Sequence, residues 1–209
     1  MNTPSWLKTD VSRETFERLE CYVALIEKWN PRINLVSKAS LVDLWDRHIW
    51  DSAQIADLGI KGDLWADFGS GGGMPALILA IFAKELSPEM KFHMVESDQR
   101  KCAFLRTVVR EVGLNAVVSA RRVEEIRPLN ANVISARALT SLTGLLGFVE
   151  RHSAAGGDAI FPKGETWEKE IDDAREFWSF SCEKITSQTN PNAAILRIKE
   201  VARVRPDAP

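Results

Sequence analysis

The sequence predicts an α/β fold: a Rossmann-like sheet of seven strands, ending in an antiparallel hairpin and preceded by a helical extension. Three observations carry this. From residue 62 short apolar runs alternate with amphipathic ones, the pattern of a parallel sheet wrapped by helices. The stretch Leu64-Trp65-Ala66-Asp67-Phe68-Gly69-Ser70-Gly71-Gly72-Gly73-Met74-Pro75 reads as a strand, an acid, four glycines within five positions and a helix start. Near the C-terminus, Asn190-Pro191-Asn192 is a turn signal between two apolar runs.

The elements follow in order. Phe16, Leu19, Val23 and Ile26 recur at helical spacing, which predicts an amphipathic helix over residues 12–29, with Ser12 as N-cap and Asn30-Pro31 as its stop. A second helix is expected over 40–58, with Leu41, Leu44, Trp45, Ile49 and Ala53 on its apolar face. Within it, Arg47-His48-Ile49-Trp50-Asp51-Ser52 is unusually polar for a segment flanked by tryptophans. Strand one ends at Asp67, and a helix runs from Pro75 to Leu86, where Ser87-Pro88 breaks it. Strand two, Phe92-His93-Met94-Val95-Glu96, closes on an acid, and mid-strand His93 reads as a packed structural residue. Asp98 caps a helix that turns Phe104, Leu105, Val108 and Val109 inward and stops at Gly113. Strands three, four and five are expected at 116–119, 132–135 and 158–161, with helices at 139–149 and 166–177. The closing hairpin pairs 183–187 with 194–201.

Composition narrows the function classes. The chain has 209 residues, enough for one domain with a sizeable core plus an appendage. Its 45% hydrophobic and 27% charged content is that of an ordinary globular protein. No apolar run approaches the ~20 residues of a membrane span, and Met1-Asn2-Thr3-Pro4-Ser5-Trp6 does not read as a secretory signal. Cys21, Cys102 and Cys182 show neither metal-ligand spacing nor a disulfide framework, so a reducing, cytoplasmic setting without a metal is expected. A formal net charge of −2 means that any contact with a polyanion must come from a local patch. Arg106 and Arg110, an i, i+4 pair, read equally as solvated charges or as RNA contacts.

The glycine loop points to a nucleotide-like ligand. Closely spaced glycines let a ligand lie against bare backbone, and the following helix aims free N–H groups at it. Two frames fit. Gly71-x-Gly73-x-x-Ala76 is a formal dinucleotide fingerprint, set two residues too far from the strand. Asp67-x-Gly69-x-Gly71-x-Gly73 fits without gaps and resembles motif I of the class I S-adenosylmethionine-dependent methyltransferases. Glu96, at the tip of strand two, is the expected ribose acceptor in either case and does not separate the cofactors.

Further pieces line up around the loop: Asn34-Leu35, Arg47-His48 with Asp51-Ser52, Arg106, Arg122-Val123-Glu124-Glu125, Ser135-Ala136-Arg137-Ala138 and Lys163-Gly164. In this order they resemble the bacterial RsmG family, also called GidB, over residues 20–165. The family often has Gly-x-Gly-x-Gly-Leu-Pro-Gly, where this chain carries Met74 and Ala76, swaps that keep a small or apolar contact. The resemblance implies a class I methyltransferase unit, 62–209, behind an N-terminal helical extension, 1–61. It implies a 16S rRNA (guanine-N7)-methyltransferase acting on the guanine at position 527 of the 530 loop. The partner is then 16S rRNA or the small ribosomal subunit, assembling or mature.

Carried over by motif, Gly69, Gly71 and Met74 line the S-adenosylmethionine pocket, Glu96 takes the ribose, and Val123 with Glu124 flanks the adenine. Arg137 contacts the cofactor at the mouth of the site and is the candidate catalytic residue, in a positioning role. Charge and position add Arg47, His48, Arg100, Lys101, Arg122 and Lys163 as RNA-binding candidates. The implied chemistry agrees with what is missing. A pyrimidine-C5 methylase uses a cysteine, usually after proline, whereas the cysteines here follow Glu20, Lys101 and Ser181, and no Pro-Pro motif of an amino-group methylase occurs. Guanine N7 already holds an in-plane lone pair, so alignment replaces a general base. An NAD(P)-dependent oxidoreductase and a non-catalytic RNA-binding nucleotide fold stand as the alternatives. Against the first, the only tyrosine is Tyr22, so no Tyr-x-x-x-Lys proton relay exists.

Overall fold

The computed structural model describes residues 3–204; residues 1–2 and 205–209, at the ends of the two expected units, lie outside the described residues. Seven strands form one sheet in the order β3-β2-β1-β4-β5-β7-β6. They are β1 (Leu64–Phe68), β2 (Lys91–Glu96), β3 (Ala116–Ala120), β4 (Ala131–Ala136), β5 (Ser153–Lys163), β6 (Trp178–Thr186) and β7 (Ala194–Arg203). The first five are parallel, and β7 runs antiparallel between β5 and β6. A six-stranded dinucleotide sheet has no such inserted hairpin strand. The chain leaves β1 toward β2 and β3, then crosses back to β4 on the other side of β1. That reversal opens a crevice at the C-terminal ends of β1 and β4, where open α/β sheets bind ligands.

The helices are α1 (Arg13–Ile33), α2 (Lys38–Val42), α3 (Asp51–Ala53), α4 (Ala76–Leu86), α5 (Gln99–Val112), α6 (Leu142–His152) and α7 (Trp167–Arg175). From Ala76 to Ala83 every residue of α4 is buried. A helix apolar on every face needs cover on every face. The sheet covers one side; α1 and the segment after α2 cover the other, with Leu19, Tyr22, Ile26, Ile49 and Trp50 in the same core cluster as Ile78, Phe82 and Phe104. The N-terminal helices therefore share the main core. The opposite sheet face packs on α6 and α7 through Phe68, Leu146, Phe161 and Trp178. Phe104 is fully buried against Tyr22 and Trp29, so Phe104→Ala is expected to cost about 3–5 kcal/mol in urea unfolding. A change below about 1 kcal/mol, the range of a surface substitution, would contradict this packing.

Three expectations are corrected. The first helix does not stop at Asn30-Pro31 but continues to Ile33. Pro31 removes one N–H, and the end is secured elsewhere: Asn34 adopts the left-handed conformation, its N–H donates to the Asn30 carbonyl, and Asn30 Oδ1 accepts from Val36 N at 2.8 Å. The region 40–58 is not one helix. After α2 it forms a π-helical turn (Trp45–Trp50), then α3, then a 3-10 turn (Gln54–Leu58). Trp45 stacks on Phe16 and against Trp50, each at 5.3 Å between ring centroids, and this aromatic packing accompanies the widened turn. Strand β5 begins at Ser153 rather than near 158, because the Gly156-Gly157 pair is a bulge within the strand and not its start: the β4–β5 register shifts between Ala131 and Val133, and Gly156 has φ +71°.

Smaller shifts follow local chemistry. Helix α6 starts at Leu142 because Ser141 caps it, its hydroxyl accepting from Gly144 N. Both hairpin strands run longer than expected, joined by residues 187–193. Asp98 and Gly113 cap α5 as read from sequence. Among the described residues no helix is long and apolar enough to cross a membrane, and no cluster of three or more His, Cys, Asp or Glu is arranged to hold a metal.

Candidate active site

The glycine loop leaves β1 with Gly69, Gly71 and Gly73 all in the left-handed region, at φ +65°, +53° and +91°. A side chain is excluded twice over at two of them. A Cβ on Gly69 would lie 2.7 Å from Leu139 Cδ1, and one on Gly73 would collide with Leu77. The loop is tied down at several points. The N–H groups of Gly69 and Ser70 both donate to the Val95 carbonyl (2.9 and 3.2 Å), and the buried Tyr22 hydroxyl donates to the Gly72 carbonyl (2.5 Å). Glu96 clasps the loop from β2: Oε2 accepts from Gly71 N and Oε1 from Asp98 N, both at 2.8 Å. Each carboxylate oxygen keeps a lone pair for a further donor.

Asp67 lies fully buried under this loop. Trp65 Nε1 donates to Ser135 Oγ (2.8 Å), which in turn donates to Asp67 Oδ1 (2.5 Å). The other oxygen, Oδ2, is buried without a protein partner. Burial pushes the Asp67 carboxyl up to about 6, against the pull of the Ser135 and Ser70 hydroxyls and the Arg137 charge.

Arg137, just beyond β4, reaches across the crevice. Its Nη2 lies 3.1 Å from His48 Nδ1 and 3.4 Å from Met74 Sδ, and its Nη1 lies 3.6 Å from Asp51 Oδ2. Burial, then the charges of Arg137 and Arg47, pull His48 down to about 4. A neutral ring with Nδ1 as acceptor matches the permanently protonated guanidinium beside it. Past Arg137 opens a cavity of about 560 Å³, lined by Arg47, Asp51, Arg137, Lys163, Thr189 and Asn190 among others. It is roomy enough for a nucleoside.

The candidate residues fall into two groups. Glu96 and Ala120 are register partners, so Arg122, Val123 and Glu124 follow the same rim as Glu96. Val123 is buried at the head of a 3-10 turn (Val123–Glu125), while Arg122 and Glu124 are exposed. Arg100 and Lys101 open α5 on that rim, with Arg100 paired to Asp98 at 3.2 Å. Arg47, His48, Arg137 and Lys163 stand at the other side, around the cavity. Two of the RNA-binding candidates on this side are not exposed side chains. His48 turns inward to Arg137. Lys163 keeps only 9% of its side chain exposed and pairs with Glu170 Oε2 at 2.7 Å, an oxygen that also accepts from Leu142 N. Arg106 donates to the Val118 carbonyl and Arg110 pairs with Glu111. His93 bonds Ser119 Oγ at 2.7 Å, in keeping with a structural role. Asp51, Gln54 and Thr189 had no role assigned from sequence; Asp51 was marked by the polar run between two tryptophans and by its place in the family resemblance.

Burial lowers all three histidines, His48, His93 and His152, and so ties stability to pH. A histidine lowered in the fold protonates first in the unfolded chain, so its contribution is lost as pH falls below about 6.5. Asp67, raised to about 6, acts in the opposite sense, adding stability as pH falls through that value. The lowering of His48 alone is about as large as the raising of Asp67, and His93 and His152 add to it in the same sense, so Tm is expected to fall between pH 7 and pH 5. A Tm that rises over this interval in thermal unfolding would contradict the assignment.

The family model GidB, rRNA small subunit methyltransferase G, matches residues 15–195. Several similar proteins carry the name ribosomal RNA small subunit methyltransferase G. That of Ruegeria pomeroyi is 57% identical over 204 residues, covering 98% of this chain and 100% of its own length. That of Rhodospirillum centenum is 45% identical over 206 residues, covering 95% of this chain and 93% of its own. Among solved structures, a SAM-dependent methyltransferase from Aquifex aeolicus superposes with a TM-score of 0.56 at 12% identity, over 88% of this chain and 98% of that one. At that identity the likeness speaks for the fold.

Proposed function

The chain belongs to the GidB family, rRNA small subunit methyltransferase G, and from that premise we propose that it methylates N7 of guanine 527 in the 530 loop of 16S rRNA, with S-adenosylmethionine as donor. The observation that carries the cofactor is Glu96 at the glycine loop: its two oxygens hold Gly71 N and Asp98 N and each keeps a lone pair, beside Gly71, whose backbone at φ +53° is not covered by any side chain. That donor-seeking acid and bare backbone fit a cationic, nucleoside-bearing ligand. Gly69, Gly71 and Met74 would hold its methionine end, Glu96 the ribose hydroxyls, and Val123 with Glu124 the adenine. When bound, the group supplies an electrophilic methyl on positively charged sulfur.

The chain's own residues do the rest by placement. The cavity beyond Arg137 takes the target base, which must leave its stack to be reached. Its N7 carries an in-plane lone pair, so no residue has to remove a proton; orientation alone is worth about 7–11 kcal/mol. Arg137, held at the boundary between loop and cavity, orients the reacting groups. Arg100, Lys101 and Arg122 on one rim and Arg47 on the other meet RNA phosphates, a local basic frame on a chain of net charge −2. We assign residues 1–61 as an extension packed on the methyltransferase unit, 62–209; the shared core of Ile26, Trp50 and Ile78 supports this.

Calorimetry separates this reading from the oxidoreductase. S-adenosylhomocysteine is expected to bind and NAD not to. Binding of NAD alone would overturn the assignment.

A further inference from the structure

The irregular run of turns from Trp45 to Leu58 delivers His48, Asp51 and Gln54 to the cavity side of the molecule. His48 Nδ1 and Asp51 Oδ2 face the two terminal nitrogens of Arg137. Asp51 is held in turn. Its Oδ1 accepts from Thr189 Oγ1 at 2.6 Å, from the loop between β6 and β7, and from Gln54 Nε2 at 3.1 Å. With Oδ1 occupied, Oδ2 is the oxygen left to face the guanidinium. The same loop is anchored separately: the buried Gln54 donates to Ser187 Oγ (3.1 Å) and accepts from Gln188 N (2.9 Å). Loop attachment is thus provided without Thr189, and the Thr189 bond acts on the orientation of the carboxylate.

We propose that Asp51 is a positioning residue for Arg137, and that Thr189 sets Asp51, so that the β6–β7 loop acts on the reaction centre through one carboxylate. This rests on the reading of Arg137 as the orienting residue of methyl transfer. An unrestrained arginine samples many rotamers, and fixing it beforehand removes that loss from the reaction. Arg137 and Asp51 each keep 24% of their side chain exposed, so the pair stays in contact with the cavity instead of being sealed into the core. The N-terminal segment thereby completes the site as well as covering α4.

Three variants test this: Asp51→Asn, Thr189→Val and Thr189→Ser. Each is assayed for kcat and KM on 16S rRNA, for Tm, and for the rate at which phenylglyoxal labels Arg137, read by mass spectrometry without cofactor. Asp51→Asn is expected to lower kcat roughly ten- to a hundredfold, the range of a slightly misplaced reacting group. Its KM for RNA should stay near wild type, and Arg137 should label several-fold faster. Thr189→Val should move both readouts the same way by a smaller factor. Thr189→Ser, which keeps the hydroxyl, should restore both. Wild-type kcat or wild-type labelling in folded Asp51→Asn would overturn the proposal, as would a Thr189→Val that lowers Tm alone. Should Asp51→Asn fail to fold, the Thr189 pair decides. A wild-type protein without methyl transfer would overturn the proposed function, while the labelling rates would still decide whether Asp51 holds Arg137.

Discussion

Arg137→Ala is expected to lower kcat for methyl transfer by at least about a hundredfold, the scale on which misplacing a reacting group is felt, while the circular dichroism spectrum stays that of wild type. The residue lies in neither core cluster, so its loss removes placement and not packing. Its partners survive the change: His48 is neutral, and Asp51, partly exposed, takes up water. Arg137→Lys should recover little, because a single ammonium cannot face His48, Met74 and Asp51 at once as the planar fork does. Wild-type turnover in folded Arg137→Ala would remove Arg137 from the reaction.

Glu96→Gln is expected to weaken S-adenosylhomocysteine binding about ten- to a hundredfold, as loss of a hydrogen bond to a charged group is worth about 1.5–3 kcal/mol. The carboxylate accepts from Gly71 N and Asp98 N through separate oxygens. A carboxamide has one oxygen, so one of these N–H groups must face an NH2 group. The glycine loop then comes free of β2, or the start of α5 does. In either case the ribose meets a donor where it needs an acceptor. Isothermal titration with unchanged affinity would show that Glu96 serves the loop alone.

The parts of the molecule legible in sequence are those whose signals are local. Asp67, the glycines and Pro75 lie within nine residues, and the chemistry of each restricts the backbone, so the β1–loop–α4 unit could be read directly. Capping at Asp98 and Gly113 was legible for the same reason. The segment from Trp45 to Leu58 was not. The spacing of Leu41, Leu44, Trp45, Ile49 and Ala53 suits an α-helix, and the widened turn comes with stacking on Phe16, which no periodicity reveals. Pro31 misled because a proline costs a helix one hydrogen bond and not its continuation when Asn30 and Asn34 secure the end. Side-chain pairs made only by the folded chain carried no signal at all. Thr189 meets Asp51 across 138 positions, and Lys163 loses its freedom to Glu170 on a following helix. The charges near the site were therefore visible in sequence, but which of them are already paired was not.

Chemical mapping of the rRNA reaches furthest. Borohydride reduction and aniline cleavage break RNA at N7-methylguanine, so 16S rRNA from cells with this protein should be cut at guanine 527. RNA from cells lacking it, or carrying Arg137→Ala, should remain uncut there. Cleavage at that position in cells without the protein would contradict the assignment.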